Sequence, residues 1–321
     1  MRVVIAGGSG FLGRALSALL LGEGHEVIVL TRSYGSGGQA GVGRRSGFAG
    51  DANQEVRGAP VAQVQWTPDG HAGSWAEAVD GAHVVVNLAG ESIASRRWTA
   101  ARKTALVESR LLATRSLVGA VAAARRPPAV LISVSGQNYY GERGDDPLSE
   151  SEPPGNDFLA GLCVQWEAEA RKVEGRTRVV LLRTGIVLSE HEGALPQMLK
   201  PFRMFAGGPV GSGRQFVSWV HWRDWVEMAR WVAENDAVSG PVNVSAPDAV
   251  RNRQLASAIG RVLNRPSAVP APAFALRLAL GEMADALLLT SIRMVPAQAL
   301  KLGYRFRFTD VEEALTDLLR P

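Results

Sequence analysis

The sequence holds a single cysteine, Cys163, among 321 residues. One thiol builds no disulfide framework, and no Cys/His cluster has metal-ligand spacing, so no metal site is expected and a reducing, cytoplasmic setting is. A long apolar span is missing too. The run that follows Arg2 is interrupted by Gly7, Gly8, Gly10 and Gly13 and charged by Arg14, unlike a signal peptide; Ala271 to Leu300 carries Arg277, Glu282, Asp285 and Arg293, unlike a bilayer span. Charge of one sign is not clustered either. The net charge is +4, but pairs such as Arg44-Arg45, Arg96-Arg97 and Arg125-Arg126 are scattered among acids and form no stripe that could track a phosphate backbone. Neither nucleic acid nor membrane is expected as a partner, and a small anionic ligand accounts for the excess equally well. What is present is globular: 46% hydrophobic and 21% charged residues, in a length that makes one large or two modest domains.

Order begins at the N-terminus. Arg2 to Ala6 is a short apolar run that reads as a buried strand, Phe11 to Leu21 has helical apolar spacing ended by Gly22 and Gly24, and Glu26 to Thr31 is a second strand. Such a β-α-β unit demands a parallel sheet with a right-handed crossover. From Tyr34 to Gly58 the composition shifts to Gly, Ser, Arg and Gln, which reads as a surface loop. Strands at Ala62 to Trp66, His83 to Leu88, Ala129 to Ser133, Arg178 to Arg183 and Pro241 to Val244 then alternate with helices near Trp75, at Ala100 to Ala124, Phe158 to Val173 and Trp225 to Glu234. This alternation predicts an α/β fold, a Rossmann-type doubly wound parallel sheet over residues 1–265. Residues 266–321, punctuated by Pro266, Pro270 and Pro272, are too few for a core of their own and are expected to form a small C-terminal lobe enclosing substrate.

The chemistry concentrates at strand ends. Gly7, Gly10 and Gly13 stand at a Gly-x-x-Gly-x-x-Gly spacing at the first strand-helix junction, with Ser9, Phe11 and Leu12 between them. Glycines there allow a tight turn, close approach to a pyrophosphate and close helix-strand packing, with the anion at the helix N-terminus. The second strand ends in Thr31, Arg32 and Ser33, without the acid that binds a ribose 2′-hydroxyl; a guanidinium that can fork onto a 2′-phosphate favours NADP(H), a solvated loop charge being the other role for Arg32. Leu88, Ala89 and Gly90 offer small residues for a close cofactor approach, and Ser133 and Ser135 put hydroxyls at the ligand-facing end of the next strand, shortly before Tyr139 and Tyr140. The Gly207 to Gln215 loop contains four glycines and offers Arg214 and Gln215 as substrate ligands. His221 and Asp224 suggest an acid-base pair, but Asp224 reads as a helix N-cap and His221 lies in an apolar stretch.

These residues resemble the extended short-chain dehydrogenase/reductases. Asn87 to Glu91, Arg97-Trp98, Ser109-Arg110, Gly207 to Gln215, Ser218 to His221 and Gly240 to Asn243 are similar to an atypical branch, the epimerase family proteins, whose C-terminal segment is a small domain of unknown function. The resemblance covers the chain except residues 34–58. It implies an NADP-binding fold, a backbone contact from Ile186 to the nicotinamide carboxamide, and Arg110, at a site position that is commonly Asn, among the cofactor-binding residues, facing with Arg32 the anionic dinucleotide. It also exposes two departures. The Tyr-x-x-x-Lys pair of such enzymes, in which Lys lowers the Tyr pKa and Tyr moves the substrate proton, falls on Leu159 and Cys163. Two functions follow. One is an NADP(H)-dependent oxidoreductase or epimerase of a small molecule, such as a nucleotide sugar, with Ser135 and Tyr139 or Tyr140 as catalytic groups. The other is an NADP(H)-binding sensor or scaffold without turnover.

Overall fold

The computed structural model describes residues 1–33 and 61–320, so the Gly/Arg-rich stretch 34–58 lies outside the described residues. The strands in chain order are β1 (Arg2–Ala6), β2 (Glu26–Thr31), β3 (Ala62–Gln65), β4 (Val84–Asn87), β5 (Val130–Gly136), β6 (Pro147–Leu148), β7 (Arg178–Thr184), β8 (Ile186–Leu188), β9 (Phe216–Val217), β10 (Trp219–His221), β11 (Gly240–Val244), β12 (Val250–Arg251) and β13 (Arg293–Met294). Seven of them form one sheet in the order β11-β7-β5-β4-β1-β2-β3, every neighbouring pair parallel. The short strands pair off beside it, β8 with β10, β9 with β12 and β13 with β6.

Both faces of the sheet are covered, which is why its strands read as near-continuous apolar runs. Val3 and Ile5 point into a core shared with Leu16 and Leu20 of α1 (Phe11–Gly22), whereas Val4 and Ala6 point the other way, toward Leu117 and Val121 of α2 (Ala100–Ala123). The two-residue period of a strand makes this division automatic. Ala170 of α3 (Phe158–Arg171) joins the second core; α4 (Leu195–Arg203), α5 (Trp222–Glu234) and α6 (Asn252–Leu263) complete the major helices, with Trp225 and Met228 of α5 filling the first core.

Two strands outrun their apolar signal. β5 continues past Ser133 to Gly136 because β7 keeps pace with it, Ser135 opposite Arg183 and Gly136 opposite Thr184. The segment around Trp75 is a single 3-10 turn, Ser74–Ala78, too short for an α-helix.

The chain after residue 265 is distributed over three places. Ile292 and Met294 pack with Tyr140 and Leu148; Ala299 and Tyr304 join the core beneath α5; Phe308 and the C-terminal helix Val311–Leu319 pack with Leu255, Ile259 and Val262 of α6. The alternating Tyr304 to Phe308 stretch forms no strand. Asp224 holds it instead, its carboxylate accepting the Arg307 and Phe308 amides at 2.8 and 2.9 Å while the Tyr304 hydroxyl donates to the Asp224 carbonyl at 3.1 Å. The helix cap expected at Asp224 is therefore His221, whose Nδ1 accepts the Arg223 amide at 3.1 Å.

That hydrogen bond needs an unprotonated Nδ1, and His221 is wholly buried, its ring stacked on Phe308 at 4.0 Å and its Nε2 3.2 Å from Asp317. Burial pushes its pKa down from 6.5 to about 4, the Asp317 carboxylate opposing the shift. The unfolded chain thus binds more protons between those values, so the stabilising contribution is complete above the unfolded pKa and is lost as pH falls toward the folded one. Urea unfolding at pH 7 and pH 5 should show a His221-dependent loss of about 2 kcal/mol, which His221→Asn, keeping a capping acceptor, removes.

Candidate functional site

The strand order reverses direction between β1 and β4, the place where a parallel sheet opens a ligand crevice at its carboxyl edge. The turn after β1 forms its floor. Gly7 has φ +80°, and a Cβ there would lie 2.7 Å from the Leu88 carbonyl; a Cβ on Gly13 would lie 2.5 Å from the Gly7 oxygen and from Gly8 Cα. Backbone meets backbone, and no side chain fits. Gly10 caps α1 without a side-chain hydrogen bond, and the first turn of the helix carries no acid. Its orphan amides and positive dipole end are left for an anion. Ser9 is exposed, its carbonyl held by the Arg14 guanidinium, which also pairs with Glu192.

Asn87 at the end of β4 shapes the opposite wall. Completely buried, it donates to Thr114 Oγ1 at 2.8 Å and to Ser133 Oγ at 3.2 Å, and its Oδ1 accepts the Ala89 amide at 3.2 Å. Ser133 is thereby committed beneath the wall that Leu88, Ala89 and Gly90 form. Trp166 of α3 adds its Nε1 to the same Thr114 hydroxyl at 2.8 Å. At the end of β2, Arg32 is exposed and has no hydrogen-bond or ion-pair partner among the described residues; the Thr31 hydroxyl donates to the Ser33 carbonyl at 2.8 Å.

Ser135 is different. Its Oγ is buried at the carboxyl end of β5 with the Cys163 thiol as its polar neighbour and no nitrogen or oxygen partner among the described residues. Beside it the Cys163 thiol lies 3.8 Å from the Gly136 carbonyl, and burial pushes the thiol up to about 11, which keeps it protonated and unreactive. Leu159 is buried. Neither residue offers the proton transfer of a Tyr-Lys pair.

The two tyrosines separate in role. Tyr140 is inaccessible, its hydroxyl donating to Asn243 Oδ1 at 2.6 Å and accepting from Arg183 Nη1 at 3.1 Å; burial raises its pKa to about 12. It is part of the core, with no face toward a ligand. Tyr139 is half-buried, its ring under the Arg183 guanidinium at 3.3 Å, and its hydroxyl has no partner among the described residues. Arg183 itself forms a buried fork with Glu167 of α3, both contacts 2.9 Å. Sequence reasoning passed over this pair, although an arginine in the apolar run of β7 requires a buried acid, and Glu167 was available on the neighbouring helix.

Other expected contacts are occupied by the protein. The Ile186 amide donates to the Ser218 carbonyl at 2.8 Å, so that donor is not free for a carboxamide. Gln215 is buried, its side-chain nitrogen bonded to the carbonyls of Val210 and Leu288 at 3.0 and 2.9 Å, which ties the glycine loop to the chain after residue 265. Arg214 stays exposed, lining a surface cavity of 610 Å³ with Glu142, Asp145, Ser212, Arg251 and Arg253. Arg251 is paired there with Asp145; the guanidinium groups of Arg214 and Arg253 have no partner among the described residues.

Residues 3–245 match the sequence pattern of the NAD dependent epimerase/dehydratase family, and residues 271–318 that of a domain of unknown function, DUF1731. The chain belongs to the NAD dependent epimerase/dehydratase family. It is 35% identical to the epimerase family protein YfhF of Bacillus subtilis, across 99% of this chain and 98% of that protein. The crystal structure of human epimerase family protein SDR39U1 (isoform 2) with NADPH superposes with a TM-score of 0.85 at 32% identity, covering 99% of each chain. A nucleoside-diphosphate sugar epimerase from Corynebacterium glutamicum gives 0.76 at 30% identity, over 99% of this chain and 58% of that one. In a family defined by dinucleotide use, the cradle predicts a plain outcome. Gly13→Ala should weaken dinucleotide binding by about tenfold or more, measured by calorimetric titration, because the first helical turn must move off the strand.

Proposed function

We propose that the protein is an NADP(H)-dependent oxidoreductase or epimerase of a small anionic molecule, such as a nucleotide sugar. The cofactor is supported by fit: the Gly7 to Gly13 cradle excludes side chains, and the uncapped end of α1 suits a pyrophosphate. Arg32, exposed beside a strand end without an acid, would meet a 2′-phosphate. When bound, the cofactor supplies or accepts hydride.

The observation that carries the catalytic reading is Ser135, a hydroxyl buried at the ligand edge of the sheet with no nitrogen or oxygen partner among the described residues, only the weakly bonding Cys163 thiol beside it. An unsatisfied buried hydroxyl costs stability unless a ligand completes it. It is placed to polarise a carbonyl, and Tyr139, with a free hydroxyl and its ring pinned by Arg183, is the nearest residue in sequence able to deliver a proton. Tyr140 positions its neighbour and takes no part in proton transfer. Arg214 and Arg253 give the surface cavity they line a place for an anionic group, with Leu289 and Ser291 of the chain after residue 265 on its wall. The second reading, a non-catalytic NADP(H) holder, is favoured by Leu159 and by the inert Cys163 thiol.

Fluorescence titration should show Arg32→Ala weakening NADPH by about tenfold while leaving NADH unchanged, the loss of one charge-assisted contact to phosphate. NADPH oxidation against a panel of carbonyl compounds and nucleotide sugars separates the two functions: turnover lowered about 100-fold or more by Tyr139→Phe at unchanged NADPH affinity supports catalysis, whereas tight NADPH binding without turnover on any member leaves the holder.

A further inference from the structure

Two arginines are buried among the described residues, and they are treated differently. Arg183 has the carboxylate of Glu167 against it. Arg110, on α2, has none within ion-pair distance. Its Nη1 donates to the Leu106 carbonyl at 3.1 Å and its Nη2 to the Glu91 carbonyl at 3.0 Å, and its guanidinium lies 5.2 Å over the Trp166 ring. The carboxylate of Glu91 is paired with Arg102 and reaches Arg110 only through space. Three of the five guanidinium N–H donors have no hydrogen-bond partner among the described residues.

A buried cation with no carboxylate in direct contact is among the costlier arrangements in a protein interior. Burial accordingly drags the Arg110 pKa downward. The place of this charge is informative. Gly90, at the exposed rim of the crevice, leaves room that a side chain would take: a Cβ there would sit 3.2 Å from Arg110 Cζ and 3.4 Å from Nε. The guanidinium thus lies one absent side chain below the crevice surface. It also belongs to the neighbourhood of Cys163, whose thiol feels both Ser135 and Arg110.

We propose that Arg110 is the cationic centre of the crevice and binds a negatively charged oxygen of the occupant, supplying the positive charge that Cys163 cannot. This rests on the dinucleotide reading above. The oxygen belongs either to a carboxylate-bearing substrate beside Ser135 or to a cofactor phosphate, and both demand the same donor.

The test uses the full-length protein, first with NADPH alone and then, as the NADPH complex, with oxamate and its uncharged analogue oxamide, read by calorimetry. A carboxylate source predicts that oxamate binds at least about tenfold tighter than oxamide, that Arg110→Met abolishes the preference and that Arg110→Lys retains part of it. A cofactor-phosphate source predicts instead that Arg110→Met weakens NADPH itself by about tenfold. In either case the unfolding temperature of ligand-free Arg110→Met should not fall, since the substitution removes an uncompensated charge. Unchanged affinities for both NADPH and oxamate in Arg110→Met overturn the proposal, as does a wild type that binds NADPH, prefers oxamide to oxamate, and keeps its NADPH affinity in Arg110→Met. A wild type that fails to bind NADPH defeats the cofactor reading instead.

Discussion

The Arg183–Glu167 ion pair is the fixed point around which the ligand edge of the sheet is assembled. It joins β7 to α3, and the remaining donors of Arg183 reach the Tyr140 hydroxyl and the Glu150 carbonyl, each at 3.1 Å. Tyr140 passes the connection to Asn243 on β11, whose amide nitrogen bonds the carbonyls of Leu148 and Val295, both at 2.9 Å. The Glu150 carboxylate accepts the amides of Asn243 and Gln298. Five separate stretches of chain are therefore held by one satisfied polar lattice. Such a lattice adds little net stability compared with apolar packing, but losing one member leaves a buried charge bare, at about 3–5 kcal/mol. Its contribution is to allow a single arrangement.

That arrangement sets what the crevice can do. With Arg183 neutralised and stacked over Tyr139, the tyrosine is held while its hydroxyl stays free; with Asn87 bonded to Thr114 and Ser133, the cofactor wall is held while Ala89 and Gly90 stay small. The groups left incomplete, the Ser135 hydroxyl and the Arg110 guanidinium, lie in the same region. Satisfied polar networks surround unsatisfied ones, a pattern in which local cost is concentrated where a ligand is to be met.

The fold was legible because its signals are local. The paired apolar faces of Val3 to Ala6, the glycines that end α1, and the position of Gly7 to Gly13 at a strand-helix junction follow from residue period and backbone sterics, and they fixed the parallel sheet and the dinucleotide cradle. The resemblance to the extended short-chain dehydrogenase/reductases, not period or sterics, placed Leu159 and Cys163 at the positions of the missing catalytic pair. Reasoning from local signals went astray where a residue's role depends on a distant partner. Asp224 and His221 exchanged roles at the start of α5, because the amides that claim Asp224 come from Arg307 and Phe308, more than 80 positions away. Tyr140 and Gln215 have site-like chemistry in the sequence, yet Asn243 and the Leu288 carbonyl absorb it.

The sequence by itself determined the α/β class and the strand ends that carry the candidates, since these depend on period, spacing and residue type, and its family resemblance showed that the usual acid-base pair is replaced. Only the tertiary structure decided which polar groups are spent and which are free. Arg183 and Arg110 are alike as letters in a sequence; one meets a carboxylate and the other does not, and that difference arises from which side chains the folded sheet brings within hydrogen-bonding distance.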